Sequence, residues 1–257
     1  MSFLARAKAL ARDILPPLVV RTTSRALKEL RRIITREPKI APSEFDPATL
    51  PQLLRKENPV ILDIGCNNGG HTLLFLSLFK NARVFSFEPD PRAQARFKKE
   101  VTDSRAKLFE MAISATDGTA EFYVSDGLPP AEWKAALPAG WDLSGSIKKP
   151  KNHLKVHPWC TFKERITVST KKLDTWRREE GIDQIDLIWA DVQGAEADLI
   201  KGGRTALQHT RYFYTEYSNY ELYEGQPRLH SLMKLLPDFA IVARYSNDVL
   251  FENKQYK

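Results

Sequence analysis

The chain has few cysteines, and this scarcity limits what kind of protein it can be. Its 257 residues contain only Cys66 and Cys160. Two cysteines provide no disulfide framework, which favours a reducing compartment. We therefore expect a cytoplasmic protein, either free in the cytoplasm or peripheral to the membrane. No Cys/His set has the spacing of zinc ligands, so the sequence predicts no metal site.

A long uninterrupted apolar run is also missing. The longest such run is broken by Pro16 and Pro17. A membrane-spanning helix needs about 20 consecutive apolar residues. The sequence therefore predicts neither a transmembrane span nor a signal peptide.

Outside its first 39 residues the chain carries no net charge. Those 39 residues contain ten Lys or Arg and three acids, which accounts for the whole formal charge of +7. A neutral body argues against a nucleic-acid groove, since such grooves are strongly basic.

We divide the chain into a basic helical N-terminal arm, residues 1–40, and a body, residues 41–257. Apolar residues recur at helical spacing in the arm, so we expect it either to lie on anionic lipid or to pack on the body or on a second subunit.

The most informative stretch is a glycine-containing turn between a strand and a helix. The strand-like residues 59–62 precede it, and the apolar residues 71–79, long enough for two helical turns, follow it. Asp63, Gly65 and Gly69 give the turn the pattern D-x-G-x-x-x-G. A turn of this kind at the carboxyl end of a strand allows the main chain to approach a cofactor closely.

An acid at the end of the next predicted strand helps to identify the cofactor. Glu88 lies 25 positions after Asp63, where it can accept hydrogen bonds from a ribose diol. Dinucleotide sites prefer a glycine where this chain has Asn67, because the main chain approaches a pyrophosphate there. S-adenosylmethionine has no phosphate, so the incomplete fingerprint favours it over a nicotinamide. The alternative is an ordinary turn, since Gly and Asn favour turns whatever their function.

Strand-like and helix-like segments alternate through the body, which predicts an α/β fold with a doubly wound sheet. Single strands are predicted at residues 84–88, 107–113, 119–124, 166–169, 185–191 and 211–216, and a closing hairpin at 239–244 and 248–252. Residues 125–165 show no clear period, and long irregular segments are usually functional. We predict that this segment covers the molecule that accepts a methyl group from S-adenosylmethionine, and that Ser146, Lys149 and His157 contact this acceptor. The alternative is a solvated surface loop.

Several motifs together resemble the FkbM-type S-adenosylmethionine-dependent methyltransferases. Over about residues 55–255 they occur in the order of that family: D-I-G-C-N-N-G from Asp63, F-E-P-D ending at Asp90, Ala112 before Asp117 and Gly118, Leu173 with Asp174, D-V-Q-G-A-E from Asp191, and Glu216. The resemblance implies a Rossmann-like sheet of seven strands, mostly parallel with an antiparallel edge strand, flanked by helices. It also implies O-methylation of a hydroxyl on a sugar, a polyketide or a related small metabolite.

The resemblance and the turn chemistry together give an expected set of cofactor contacts. Its members are Asp63, Gly65, Asn67, Gly69, Thr72, Glu88, Ala112 and Asp191. The chain departs from the family at Gln193, where a glutamate is common. An amide cannot act as a base, so that role moves to a neighbouring residue.

Three residues are candidates for the base. Methyl transfer is an in-line displacement that benefits from alignment and from removal of the hydroxyl proton. Asp191 and Glu216 end predicted strands on the sheet edge that also carries Asp63, and His153 lies in the irregular segment. Each has a structural alternative: a helix cap or ion-pair partner for the acids, a solvated side chain for the histidine. A non-catalytic cofactor-binding protein of the same fold stays open because of Gln193, and a nicotinamide-dependent oxidoreductase is disfavoured by Asn67.

Overall fold

The computed structural model describes residues 40–41, 45–130 and 140–256. The chain divides into two units, Met1–Ile40 and Ala41–Lys257, and the account below concerns the second. The predicted helical arm falls on residues 1–39, outside the described residues. In the described part, no helix combines the length and the apolar character needed to cross a membrane.

A seven-stranded sheet forms the centre of the body. Its strands are β1 Val60–Ile64, β2 Arg83–Phe87, β3 Ala106–Phe109, β7 Ile185–Ala190, β8 Thr210–Glu216, β9 Phe239–Arg244 and β10 Asp248–Asn253. They lie in the order β3-β2-β1-β7-β8-β10-β9. β1 is parallel to β2 and β7, whereas β10 is antiparallel to both of its neighbours. The expected Rossmann-like sheet is confirmed, and its antiparallel strand lies one place inside the edge strand β9.

Helices cover both faces of this sheet. All residues of β1 and β7 are buried, as is typical of parallel strands covered on both sides. The helices are α1 Leu50–Leu54, α2 Gly70–Leu78, α3 Pro91–Glu100, α4 His153–Val156, α5 Leu173–Glu179, α6 Glu196–Gly202, α7 Arg204–Gln208 and α8 Leu229–Leu235. Apolar side chains of α1 and α2 pack in one core, and those of α5 to α8 pack in the other. The two cores hold the loops at the ends of β1, β2 and β7 in fixed positions.

A second sheet departs from the predictions. It has three strands in the order β4-β6-β5, which are β4 Ala112–Ile113, β6 Cys160–Lys171 and β5 Gly118–Gly127. The single strand predicted at residues 107–113 is wrong, because the chain turns between β3 and β4. In that turn the main-chain nitrogen of Met111 donates to the Phe109 oxygen at 2.9 Å.

The segment predicted to be irregular, residues 125–165, is also shorter than expected. β5 continues to Gly127, β6 begins at Cys160, and these two residues pair with each other. Much of β6 is exposed, so polar residues occupy it and no simple apolar alternation marks the strand. The long antiparallel pairing of β5 with β6 was therefore hidden from sequence reasoning.

Candidate functional site

A cleft opens at the carboxyl ends of β1, β2 and β7, the edge at which open α/β sheets bind ligands. The space between its walls, open solvent included, is about 620 Å³. The loops that follow these strands line part of it, and residues 142–147 line another part. Among the lining residues the apolar ones include Ile64, Phe87, Met111, Ala112, Ile113 and Phe122, and the polar ones are Asn67, Glu88, Asp142, Ser146, Asp191 and Gln193.

Gly65 is required because two strand ends meet at it. Its φ is +87°, and a Cβ placed there would lie 1.9 Å from the main-chain oxygen of Asp191. The Asp191 nitrogen also donates to the Ile64 oxygen at 2.9 Å. The turn after β1 and the turn after β7 are therefore in direct contact, which brings the predicted cofactor loop beside the predicted base.

Glu88 connects the same turn to the end of β2. Its Oε2 accepts a hydrogen bond from the Asn67 nitrogen at 2.9 Å, and its Oε1 accepts one from the Asp90 nitrogen at 2.7 Å. Burial raises the pKa of Glu88 to about 8, although both main-chain hydrogen bonds oppose this shift. The carboxyl group is thus fixed in place at the cleft, with one acceptor position on each oxygen already used.

Asp142 is a polar residue of the cleft that sequence reasoning missed. Its Oδ2 forms an ion pair with Arg96 of α3, and its main-chain oxygen accepts from the Asn67 side chain at 3.4 Å. The Asp142 side chain is buried, and its Oδ1 has no partner among the described residues. Because this aspartate lies in a segment without a recognisable period, no signal marked it in the sequence.

Three members of the expected cofactor set lie behind the cleft instead of lining it. Thr72 donates to Asp63 Oδ2 at 2.6 Å, and the Thr72 and Ser86 hydroxyls are 2.8 Å apart. Burial raises the pKa of Asp63 to about 7. Gly69, at the start of α2, has no room for a Cβ beside Phe97. These residues shape the turn from behind, whereas Gly65, Asn67, Glu88, Ala112 and Asp191 line the cleft.

The two predicted acids at the carboxyl ends of β7 and β8 meet at Gln193. The Gln193 Nε2 donates to Asp191 Oδ1 at 2.5 Å and lies 3.5 Å from Glu216 Oε2. Burial raises the pKa of Asp191, and the charge of Asp191 together with burial raises the pKa of Glu216 well above its usual range. A third acid, Glu196, is buried behind them, and burial raises its pKa to about 7.

The residues predicted to contact the acceptor lie in different places. Ser146 lines the cleft and donates to the Gln193 main-chain oxygen at 2.7 Å. Lys149 pairs with Glu224 at the surface, and both side chains are more than half exposed. The rings of His153 and His157 lie 4.9 Å apart at an angle of 47°, outside the lining of the cleft. Burial lowers the pKa of His153 to about 4, so this histidine is neutral at physiological pH.

Comparisons with known proteins agree with this architecture. Residues 63–249 match the Methyltransferase FkbM domain. The 2-O-methyltransferase NoeI of Sinorhizobium fredii (strain NBRC 101917 / NGR234) is 49% identical over 206 residues, which cover 78% of this chain and 82% of NoeI. Methyltransferase sdnD of Sordaria araneosa is 24% identical over 183 residues, 62% of this chain and 63% of sdnD.

Among solved structures, one similar protein is a Klebsiella pneumoniae protein provisionally described as an O-methyltransferase. It is 13% identical, has a TM-score of 0.45, and the match covers 97% of this chain and 96% of that one. A similarity of this size carries no argument about function. The family match and the relative at 49% identity show that the chain belongs to the FkbM family of methyltransferases.

Proposed function

We propose that this methyltransferase takes its methyl group from S-adenosylmethionine and transfers it to a hydroxyl oxygen of a small acceptor. The observation that carries the proposal is the set of carboxyl side chains that line the cleft. Glu88, Asp142 and Asp191 line it, and among the described residues no lysine, arginine or histidine does. Carboxylates suit a ligand with a sulfonium, an ammonium and hydroxyl donors. A dinucleotide pyrophosphate carries only hydrogen-bond acceptors and would find no cationic side chain among the described residues of this lining.

The acceptor positions in the cleft fit such a donor-rich ligand. Each oxygen of Glu88 accepts one main-chain hydrogen bond and retains a further lone pair for a ribose hydroxyl. Asp142 Oδ1 is a buried oxygen without a partner among the described residues, which makes it a second acceptor for a hydroxyl or an ammonium group. Met111, Ala112 and Ile113 offer an apolar wall for the adenine ring.

The acid pair at the carboxyl ends of β7 and β8, Asp191 and Glu216, is suited to remove the acceptor proton. S-adenosylmethionine, when bound, supplies a methyl group on a positively charged sulfur, so the acceptor needs to be oriented and deprotonated. Asp191 lines the cleft, and Glu216 is linked to it through Gln193. Because the pKa values of both acids are raised, a proton taken from a hydroxyl is held more readily than by an ordinary carboxylate. We assign the base to this pair and not to His153, which lies outside the lining.

The name of the relative NoeI narrows the acceptor chemistry. That protein is a 2-O-methyltransferase. By analogy, we infer that this chain methylates a secondary hydroxyl of a polyhydroxylated acceptor such as a sugar or a related metabolite. Ser146 supports this assignment, because its hydroxyl lies in the lining of the cleft beside Gln193.

Calorimetric titration tests the choice of cofactor. The protein should bind S-adenosylhomocysteine and S-adenosylmethionine, and NAD should give no heat of binding at the same concentrations. Binding of NAD in preference to both adenosyl ligands would overturn the proposal. The assay needs no knowledge of the acceptor, so it tests the cofactor alone.

We propose a separate function for the basic arm. Residues 1–40 contain the whole net charge, and the family match begins at residue 63. We infer that the arm mediates contact with anionic lipid or self-association and takes no part in methyl transfer. Deleting residues 1–39 should leave the affinity for S-adenosylhomocysteine within about twofold, while binding to vesicles containing phosphatidylserine or the oligomeric state changes. Loss of cofactor binding in a folded deletion variant would contradict this division.

A further inference from the structure

The side-chain amide of Gln193 lies at the centre of a group of acids. Asp191 follows β7, Glu216 ends β8, Glu196 begins α6, and Asp248 begins β10. Asp191 and Glu216 are only partly exposed. Among the described residues, no lysine, arginine or histidine forms an ion pair with either of them. The Gln193 amide is therefore the group that supplies hydrogen-bond donors between the two carboxyls.

The position of this amide is fixed from several sides. Gln193 has a φ of +48°, an uncommon value for a residue other than glycine. Its main-chain oxygen accepts from Ser146 at 2.7 Å. The Tyr223 hydroxyl lies 3.1 Å from Gln193 Oε1 and 2.8 Å from the Ser144 oxygen, so its single proton can be donated to either acceptor. With Oε1 directed to a hydroxyl donor, the Nε2 donors are directed to the carboxyls.

We propose that Gln193 is a positioning residue, whose amide holds Asp191 and Glu216 together as one acid pair and keeps the second oxygen of Asp191 available to the acceptor hydroxyl. This inference rests on the proposed function of the pair as the base. In that function the acceptor O–H bond breaks, its proton goes to the carboxyl pair, and the proton later leaves to solvent. Leucine at this position would fill space without donating, and glutamic acid would donate only while protonated.

The comparison of Q193E with Q193L separates hydrogen bonding from packing. At pH 5.5 a glutamic acid that keeps its proton in the folded protein can donate as the amide does, so Q193E should lose only the stability that follows from ionisation of the unfolded chain above a pKa of about 4.3, on the order of 4–7 °C in unfolding temperature. At pH 8.5 it adds a negative charge to the pair. The folded protein resists this ionisation, so its stability falls as the pH rises. A shift of one pKa unit corresponds to about 3–6 °C for a chain of this size. The difference in unfolding temperature between Q193E and wild type should therefore be larger at pH 8.5 than at pH 5.5 by at least that amount.

Two further variants complete the experiment. Q193L lacks the donor at every pH, so it should be less stable than wild type already at pH 5.5 and should not recover on acidification. Q52E adds the same charge at an exposed position of α1. The difference in unfolding temperature between Q52E and wild type should be the same at both pH values. Asp63, Glu196, Asp248 and Tyr223, which also face the pair, are present in all variants, so the differences between variants arise from the group at position 193 and from its electrostatic coupling to these residues.

The inference is overturned if the gap between Q193E and wild type is the same at both pH values, because the amide would then act only by filling space. Titration of wild type with S-adenosylhomocysteine, run in parallel, reports on the proposed function independently. If wild-type protein fails to bind this ligand while the difference in unfolding temperature between Q193E and wild type still increases with pH, the proposed function is contradicted. That result would leave intact the inference that the Gln193 amide holds the two acids together.

Discussion

The main-chain nitrogen of Asn67 donates to Glu88 Oε2 at 2.9 Å, and this hydrogen bond joins the turn after β1 to the end of β2. Asn67 has a φ of +46°, which turns its N–H toward the carboxyl group. The acid expected to bind a ribose therefore also holds the loop that forms the neighbouring part of the site. A change at Glu88 should act on both.

Replacing Glu88 by alanine should weaken binding of S-adenosylhomocysteine about tenfold to a hundredfold. A hydrogen bond to a charged group is worth about 1.5–3 kcal/mol, and the variant also leaves the Asn67 and Asp90 nitrogens without their acceptor. Titration calorimetry measures the loss, and circular dichroism checks the fold. An unchanged affinity in a folded variant would remove Glu88 from the cofactor site.

The affinity for S-adenosylhomocysteine should rise as the pH increases from about 6 to about 8. The free protein holds a proton on Glu88 up to a pKa of about 8, and hydroxyl donors of the ligand favour the ionised form, so binding releases this proton. By the same linkage, the stability of the free protein should fall as the pH rises from the ordinary glutamate range through about 8. Titration calorimetry in buffers of different ionisation enthalpy measures the number of protons released when the ligand binds. An E88Q variant should lose the pH dependence, and its persistence there would assign the proton to another group.

Asp142 gives a prediction from a residue that the sequence did not mark. D142N removes the charge while retaining the shape of a side chain whose Oδ1 lacks a partner among the described residues. Affinity for S-adenosylmethionine should fall about tenfold, the effect of losing one charged acceptor. E110Q is a matched control, since it breaks the exposed ion pair with Lys98 and should leave the affinity unchanged. Equal affinities of D142N and E110Q would show that Asp142 serves only to hold Arg96.

Gly65 should be far less tolerant of alanine than Gly181. Both have positive φ values, but a Cβ at Gly65 would meet the Asp191 oxygen, whereas at Gly181 no atom lies within 4 Å. G65A should lower the free energy of unfolding by about 2–5 kcal/mol, because overpacking is added to the backbone cost. G181A should lower it by about 1–2 kcal/mol, the backbone cost alone. Urea denaturation compares them, and equal losses would mean that the turn after β7 yields to the added methyl group.

The parts of the fold that could be predicted were those marked by local patterns. The strand before Asp63, the helix after Gly70 and the hairpin of β9 and β10 follow from apolar runs and turn residues, and their positions are confirmed. The pairing of β5 with β6 depends on partners about 30–50 residues apart in the chain, and no local pattern revealed it. The same reason explains Asp142, whose importance comes from contacts with Arg96 and Asn67 far from it in sequence. The hydrogen bond from Thr72 to Asp63 likewise joins residues nine positions apart, and the place of Asp63 at the cofactor stays a prediction.

Transfer of labelled methyl groups by wild type and D191N tests the central claim most directly. Each protein is incubated with labelled S-adenosylmethionine and fractions of hydroxylated metabolites, and the products are examined by mass spectrometry for a gain of one CH2 on oxygen. Wild type should methylate an acceptor, and D191N should do so about 10²–10⁴ times more slowly, the usual loss for a general base, while S-adenosylhomocysteine still binds. Turnover of D191N within a few-fold of wild type would contradict the assignment of Asp191 and its partner Glu216 as the base.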